Sequence, residues 1–280
     1  MREVIFIGIK YFLGANSGEG FYSLYDSFAR NDGDLLYLIK GGPGCGKSGF
    51  MRRISEKAQG LGYEVEEILC SGDPDSLDAV YIPEIKTAFC DATAPHAAEP
   101  RLFAVDSYYV NLGQFCSLSE NSKIAEYSKK YKQMYKSAYS YLSPLAGLKR
   151  AEIPDLYGQN EIRIAKSRAK SAVIRNVSKL SSCTPKSSFR FIHCISCLGE
   201  LCLEESLSEL CKQIYLVDDR CGLSEYYLNE VRNEALSRGH DVTVCPSPLC
   251  PEKLDAVIIP DSNLGFISAS ILKGSPHRHI

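Results

Sequence analysis

The sequence predicts an α/β protein with a mainly parallel sheet, a helical insertion and a smaller, degenerate repeat of the same α/β unit. Three observations predict it. A short apolar run at Leu35–Lys40 passes through a glycine-rich loop into a stretch of helical periodicity. A block of the N-terminal half recurs towards the C-terminus. Between the two copies the composition turns basic and helical.

The loop is Gly41-Gly42-Pro43-Gly44-Cys45-Gly46-Lys47-Ser48, followed by Gly49. After it, Phe50, Met51, Ile54 and Ala58 recur at helical spacing. Strand, G-x-x-x-x-G-K-S and helix in that order form the context in which the P-loop pattern carries a mechanism. Glycines let successive N–H groups turn inwards onto phosphate oxygens, and the helix N-terminus adds partial positive charge. Lys47 is then expected to reach the β- and γ-phosphates, and the Ser48 hydroxyl to hold magnesium. Gly41, Gly42, Pro43, Gly44, Cys45, Gly46, Lys47, Ser48 and Gly49 are the expected nucleotide-binding residues, and the fold is expected to be P-loop NTPase-like. No N-K-x-D guanine-reading motif occurs in the chain, which points to ATP rather than GTP.

LDAVYIPE at 77–84 recurs as LDAVIIPD at 254–261, and at the same offset of 177 Met51 through Ala92 aligns without gaps with Leu228 through Ala269. Upstream, LYLIK at 36–40 matches IYLVD at 214–218 at an offset of 178. The second copy reads DDRCGLSEYY where the first reads KGGPGCGKSGF. The glycine run and the lysine are gone and two aspartates would repel phosphate, so the second copy is expected to bind no triphosphate. Asp91 ends the apolar run TAFCD, resembles a Walker B carboxylate that holds magnesium, and becomes Ser268 in the second copy. Lys47 and Asp91 are lost together, as expected of one catalytic site. A turn or helix-capping aspartate is the other reading of Asp91. Asp78 and Asp255 both survive, which marks them as architecture. Asp73 and Asp75 become Cys250 and Glu252, so they are further site candidates, with turn and cap roles equally open.

Length and composition set the outer bounds. The 280 residues suit one large or two modest domains, and 45% apolar residues can build an ordinary core. A net charge of −2 decides nothing about nucleic acid for the whole chain. VIFIGI at 4–9 is far short of the ~20 residues of a membrane span, is flanked by Arg2, Glu3 and Lys10, and reads as a first strand. No membrane partner and a cytoplasmic location are expected. The twelve cysteines, Cys45, Cys70, Cys90 and Cys116 among them, form no compact disulfide pattern and are expected to be thiols. Cys194, Cys197, Cys202 and Cys211 contain a C-x-x-C, but zinc would need a second well-spaced pair and Cys245 with Cys250 is a poor one.

Residues 119–182 carry 13 Lys or Arg and 5 Asp or Glu, a net of +8 that leaves −10 for the rest. They read as helical with a break near Ser143-Pro144, and Tyr127, Tyr131, Tyr135 and Tyr139 recur every four residues. Three readings fit: an arm for nucleic acid or another polyanion, a helical hairpin packed by its tyrosines, or a lid whose Arg163 or Arg168 completes the site.

GGPGCGKSG, CSGDPDSLDA at 70–79 and CDATAPH at 90–96 together resemble a family of uncharacterised bacterial P-loop ATPases with two tandem P-loop units. The resemblance covers the first hundred residues, and the rest through the repeat. It implies ATPase activity and makes His96 a further site candidate; a surface or capping histidine is the alternative. Cys45 stands where the family has threonine. The second P-loop is degenerate here, and the chain stops soon after the second copy's Walker-B-like strand, as a shortened member would.

The expected organisation is a nucleotide-binding domain over 1–118, a basic helical insertion over 119–185 and a degenerate repeat over 186–280. The leading expectation is a Mg2+-dependent ATPase coupled to an unknown partner, with Lys47 and Asp91 catalytic and Ser48 and Asp91 on magnesium. A small-molecule or nucleoside kinase, with Asp73, Asp75 or Glu84 as base, is one alternative. A nucleotide-gated nucleic-acid-binding module is another.

Overall fold

Two six-stranded sheets with one and the same strand order account for the repeat. The computed structural model describes residues 8–93, 99–100, 102–116, 121–151, 157–180, 184–219, 221–272 and 278–279. The chain divides into two compact units, residues 1–144 with 196–198, and residues 145–195 with 199–280. Most of the strand expected at 4–9 lies outside the described residues.

The first unit runs β1 (Ile9–Phe12), a hairpin of β2 (Gly14–Ser17) and β3 (Gly20–Ser23), β4 (Leu35–Lys40), α1 (Lys47–Gly60), β5 (Glu66–Leu69), β6 (Leu77–Ile82), β7 (Thr87–Asp91) and β8 (Ser107–Asn111). Its sheet has the order β1-β5-β6-β7-β4-β8. β4 is parallel to both β7 and β8, and β1 is parallel to β5. β6 is antiparallel to both neighbours, so the sheet is mixed, with parallel strands around the glycine-rich loop. The reason is local. Only a 3-10 turn, Pro83–Ile85, joins β6 to β7, whereas parallel neighbours need a crossover of about a dozen residues. All six residues of β6 are buried, and α1 packs on β6 with Met51, Ser55 and Ala58 inward.

A long helix, α2 (Asn121–Arg150), follows, then α3 (Gln159–Asn176). The second unit continues with β9 (Ser187–Phe189), a hairpin of β10 (His193–Ser196) and β11 (Gly199–Cys202), α4 (Glu204–Leu210), β12 (Gln213–Val217), α5 (Ser224–Ser237), β13 (Val242–Pro246), β14 (Leu254–Ile259), β15 (Leu264–Ser268) and β16 (Arg278–His279). Read from β9, its sheet is β9-β13-β14-β15-β12-β16, the first sheet's order strand for strand. The duplication extends to irregularities. Both copies shift register at the same place, between Ile68 and Leu69 and between Cys245 and Pro246. Gly62 and Gly239 share a φ of +88°, and Lys86 and Asn263 take φ of +50° and +48°. Tyr37 stacks on Phe89 at 5.0 Å, as Tyr215 does on Phe266 at 5.2 Å.

The repeat is therefore a complete second sheet rather than the smaller one expected. It also reaches upstream of the sequence match. Gly14 corresponds to His193 and Gly20 to Gly199, and Leu24 donates to the Leu13 carbonyl as Leu203 does to that of Ile192, at 2.7 and 2.9 Å.

The stretch between the copies departs from expectation in two ways. α2 runs without a break through Pro144; one lost backbone bond is tolerated in a helix of 30 residues held by the remaining ones. Nor do its tyrosines pack a hairpin. α3 packs instead on α5, burying Ala169, Ala172 and Val173 against Tyr227, Leu228 and Val231. Of the tyrosine stripe, Tyr135 and Tyr139 are half-buried, while Tyr127 and Tyr131 are 66% and 59% exposed. Among the described residues no helix is long and apolar enough to cross a membrane.

Candidate functional site

β4 delivers the chain to Gly41 at its C-terminal end, and α1 begins six residues later at Lys47. Gly44 and Gly46 take φ of +80° and +79°, in the left-handed region where a side chain is strained. Gly41 is glycine for space: a Cβ there would lie 3.2 Å from that of Cys45 and 3.3 Å from the Gly113 nitrogen. The first-turn N–H groups of α1, beginning with Lys47, Ser48 and Gly49, have no carbonyl inside the helix and carry its positive pole.

Lys47 turns back over the loop. Its ammonium donates to the carbonyls of Gly41 at 2.6 Å and Gly42 at 3.0 Å, and lies 3.4 Å from Asp91 Oδ2. Asp91 is the last residue of β7, paired in register with Ile39, so the parallel β4–β7 ladder carries carboxylate and loop to the same end of the sheet. Its Oδ1 accepts from the Thr93 N–H at 2.8 Å, and the Thr93 hydroxyl donates to the Gly41 carbonyl at 3.0 Å. Lys40 donates to the Ala92 carbonyl at 2.7 Å, and its ammonium lies 5.4 Å from the Tyr109 ring centroid. The Ser48 hydroxyl accepts from the Leu77 N–H at 2.9 Å.

Asp73 and Asp75 belong to the exposed turn between β5 and β6. Asp73 takes the turn role: its carbonyl and carboxylate accept from the Ser76 N–H and hydroxyl, each at 2.8 Å. The Asp75 carbonyl accepts from Arg52 of α1 at 2.6 Å. His96 lies outside the described residues. Pro43 and Gly49 are exposed at the mouth of the loop. Thr93, Lys40 and Arg52 were not singled out from the sequence. Thr93 sits two residues beyond Asp91 in CDATAPH and Lys40 immediately before the loop, so proximity to the motif was their signal.

One cysteine expectation is overturned. Cys45, inside the glycine-rich loop, is disulfide-bonded to Cys116, with Cα atoms 6.0 Å apart. Cys116 follows a 3-10 turn, Leu112–Phe115, at the end of β8, and strand pairing of β8 with β4 brings that turn beside the loop. A sequence separation of 71 residues gave no hint of the pairing. Among the described residues, Cys194, Cys197, Cys202 and Cys211 included, no three His, Cys, Asp or Glu side chains converge.

Ser48 and Asp91 offer a hydroxyl and a carboxylate, hard oxygen donors suited to magnesium, which takes few protein ligands and otherwise keeps water and phosphate oxygens. The residues present fit such an ion at the end of β7 beside α1.

The second copy shows what the loss of glycines does. At the start of α5 the Ser224 hydroxyl donates to Asp219, so the second copy sets an internal carboxylate beside its helix start. Ser268, in the place of Asp91, bonds to the Ser270 hydroxyl at 2.8 Å. The remaining water-sized cavity is bounded by Lys149 and Lys253 as well as Asp219, Glu225 and Asp255.

Two buried aspartates were read as architecture, and each has a buried partner. The Tyr25 hydroxyl donates to Asp78 at 2.9 Å, and His193 Nδ1 lies 3.2 Å from Asp255.

Compared with known proteins, the chain matches no family model, no curated protein and no solved structure.

Proposed function

We propose that this is a P-loop NTPase-like protein that binds ATP with magnesium at the first copy and hydrolyses it, coupled to a partner event. The observation that carries the reading is the meeting of Lys47, the loop carbonyls of Gly41 and Gly42, and Asp91, within 3.4 Å at the ends of two parallel strands. The cation and α1 N-terminus attract the phosphates, and the carboxylate and Ser48 hydroxyl suit magnesium. The three-segment likeness to tandem P-loop ATPases supports the same reading. So does the joint loss of Lys47 and Asp91 in the second copy.

In this reading Lys47 leaves the Gly41 and Gly42 carbonyls and Asp91 for phosphate oxygens, and stabilises charge on the transferring phosphoryl group. A magnesium ion there would supply positive charge to offset that of the phosphates. Ser48 and Asp91 are the residues that would hold it, and Thr93 fixes Asp91 from behind. Adenine rather than guanine follows from the missing N-K-x-D motif.

The test is free-phosphate release from Mg-ATP by the purified chain beside Lys47→Ala. Slow release that the substitution abolishes is the expected result. Release that persists at the wild-type rate in the variant would sink the reading.

A further inference from the structure

The nucleotide reading above leaves the base without a place, and the sheet supplies a direction for it. Asp91 lies at the end of β7 on one side of β4; β8 and its following turn lie on the other. A triphosphate with its terminal phosphate at Asp91 and its chain laid across the end of β4 would carry its nucleoside towards β8. Ligands of open α/β sheets sit outside the carboxyl ends of the strands, and on that side this means the turn Leu112–Phe115.

That turn is fastened to the P-loop at several points. Asn111, where it starts, pairs in register with Lys40, the residue before the loop. Gly113 packs so closely on Gly41 that a Cβ on Gly41 would stand 3.3 Å from its nitrogen. Cys116, where it ends, is bonded to Cys45 of the loop. Phe115 adjoins this covalent link and is 77% exposed, a large ring left in solvent on an anchored turn. Tyr109 of β8 is already engaged: its hydroxyl donates to Glu99 at 3.1 Å and its ring carries the Lys40 ammonium.

We propose that Phe115 is the nucleobase platform of this site, with the base stacking on its ring. The chemistry is face-to-face stacking, which every base can offer and which rewards the larger purines; it does not read hydrogen-bonding edges. The Cys45–Cys116 bond holds the platform at a fixed distance from the phosphates. This inference rests on the nucleotide reading, and two probes separate the two.

The experiment is calorimetric titration of the full chain, without reductant, with Mg-ATP and with magnesium tripolyphosphate, which has the phosphates and no base. Wild type, Phe115→Ala, Phe115→Trp and Lys47→Ala are compared. Phe115→Ala is expected to bind Mg-ATP about tenfold more weakly, in keeping with the usual strength of base–aromatic stacking, and to bind tripolyphosphate as wild type does. Phe115→Trp is expected to retain ATP affinity. Unchanged ATP affinity in Phe115→Ala overturns the platform while leaving the phosphate site standing. Equal weakening for both ligands also overturns it, since the loop itself would then have been damaged. If the wild-type chain binds neither ligand, or Lys47→Ala binds both normally, the nucleotide reading fails and the platform fails with it.

Discussion

Lys47 Nζ lies 3.4 Å from Asp91 Oδ2 while donating to the Gly41 and Gly42 carbonyls, so the loop's cation is held by its own loop and by the end of β7. On the proposed reading Asp91 would have two partners in succession, the lysine and then magnesium. Asp91→Ala is expected to lower phosphate release by a factor of about a hundred or more, of the order lost when one group stabilising transition-state charge is removed. Asp91→Asn keeps the size and loses the charge, and should fall nearly as far. Wild-type turnover in Asp91→Asn, measured at saturating magnesium, would remove the carboxylate from the mechanism.

The second copy makes a stoichiometric prediction. Asp219 accepts from Ser224 at the N-terminus of α5, where the first copy keeps its cradle. One nucleotide per chain is therefore expected in equilibrium titration, and Asp219→Ala should leave both stoichiometry and affinity unchanged. Two nucleotides per chain would show that the internal carboxylate does not block the second position.

Much of the first site was legible because its chemistry is local in sequence. Gly41 to Ser48 specify a loop and a helix start by themselves, and Asp91 ends a recognisable apolar strand. What escaped was set by sheet order. Cys116 meets Cys45 only because β8 pairs with β4, and no spacing rule encodes that. The repeat was found where both copies keep apolar strands, at 36–40 and from Met51 to Ala92. It was missed upstream because the interiors differ: Phe21 packs so tightly beside Gly14 that a Cβ there would meet its ring at 2.5 Å. The second copy has His193 and Glu200 at these two places, 3.2 Å apart. The helical break at Pro144 failed because a proline signals a weakened turn, and the neighbouring turns of a long helix can carry it.

The cysteines divide by environment, and alkylation reads the division. Without reductant at near-neutral pH, exposed Cys197 and Cys221 are expected to label first. Burial pushes the thiols of Cys70, Cys202 and Cys211 up to about 12, so little thiolate is present to react. Cys45 and Cys116 should be recovered by mass spectrometry as one cross-linked peptide and label only after reduction. Free Cys45 label in unreduced protein would refute the bond.

The same groups set an alkaline limit. Tyr81 and Tyr227 are likewise raised to about 12, chiefly by burial. A group whose folded pKa is raised holds its proton longer in the folded than in the unfolded chain. The unfolded chain then binds fewer protons, and stability falls as pH rises. Below the ordinary thiol range these groups contribute no slope. From there up to about 12, where the cited thiols and phenols ionise, stability should fall steadily. A urea midpoint that stays flat across this range would contradict the burial of these groups.

Each copy keeps a buried aspartate at the same place in β6 or β14 but satisfies it from a different part of the repeat. Asp78 receives the Tyr25 hydroxyl at 2.9 Å from a 3-10 turn after the hairpin, and Asp255 faces His193 from the start of β10. Burial and the nearby carboxylate raise the Tyr25 phenol well above its usual range, so it remains a donor at all ordinary pH. Tyr25→Phe removes only that hydroxyl and is expected to destabilise the first unit by about 1–3 kcal/mol, the cost of leaving a buried polar group short of a partner. Urea unfolding followed by Cys70 alkylation reads this unit directly, since Cys70 lies in the same sheet neighbourhood and reacts once burial is lost. Asp78→Asn alone should cost a similar amount, and the double variant less than the sum, because the two residues share one interaction. Strict additivity, or an unchanged midpoint in Tyr25→Phe, would mean that the aspartate is held by its other neighbours and that the tyrosine is incidental to it.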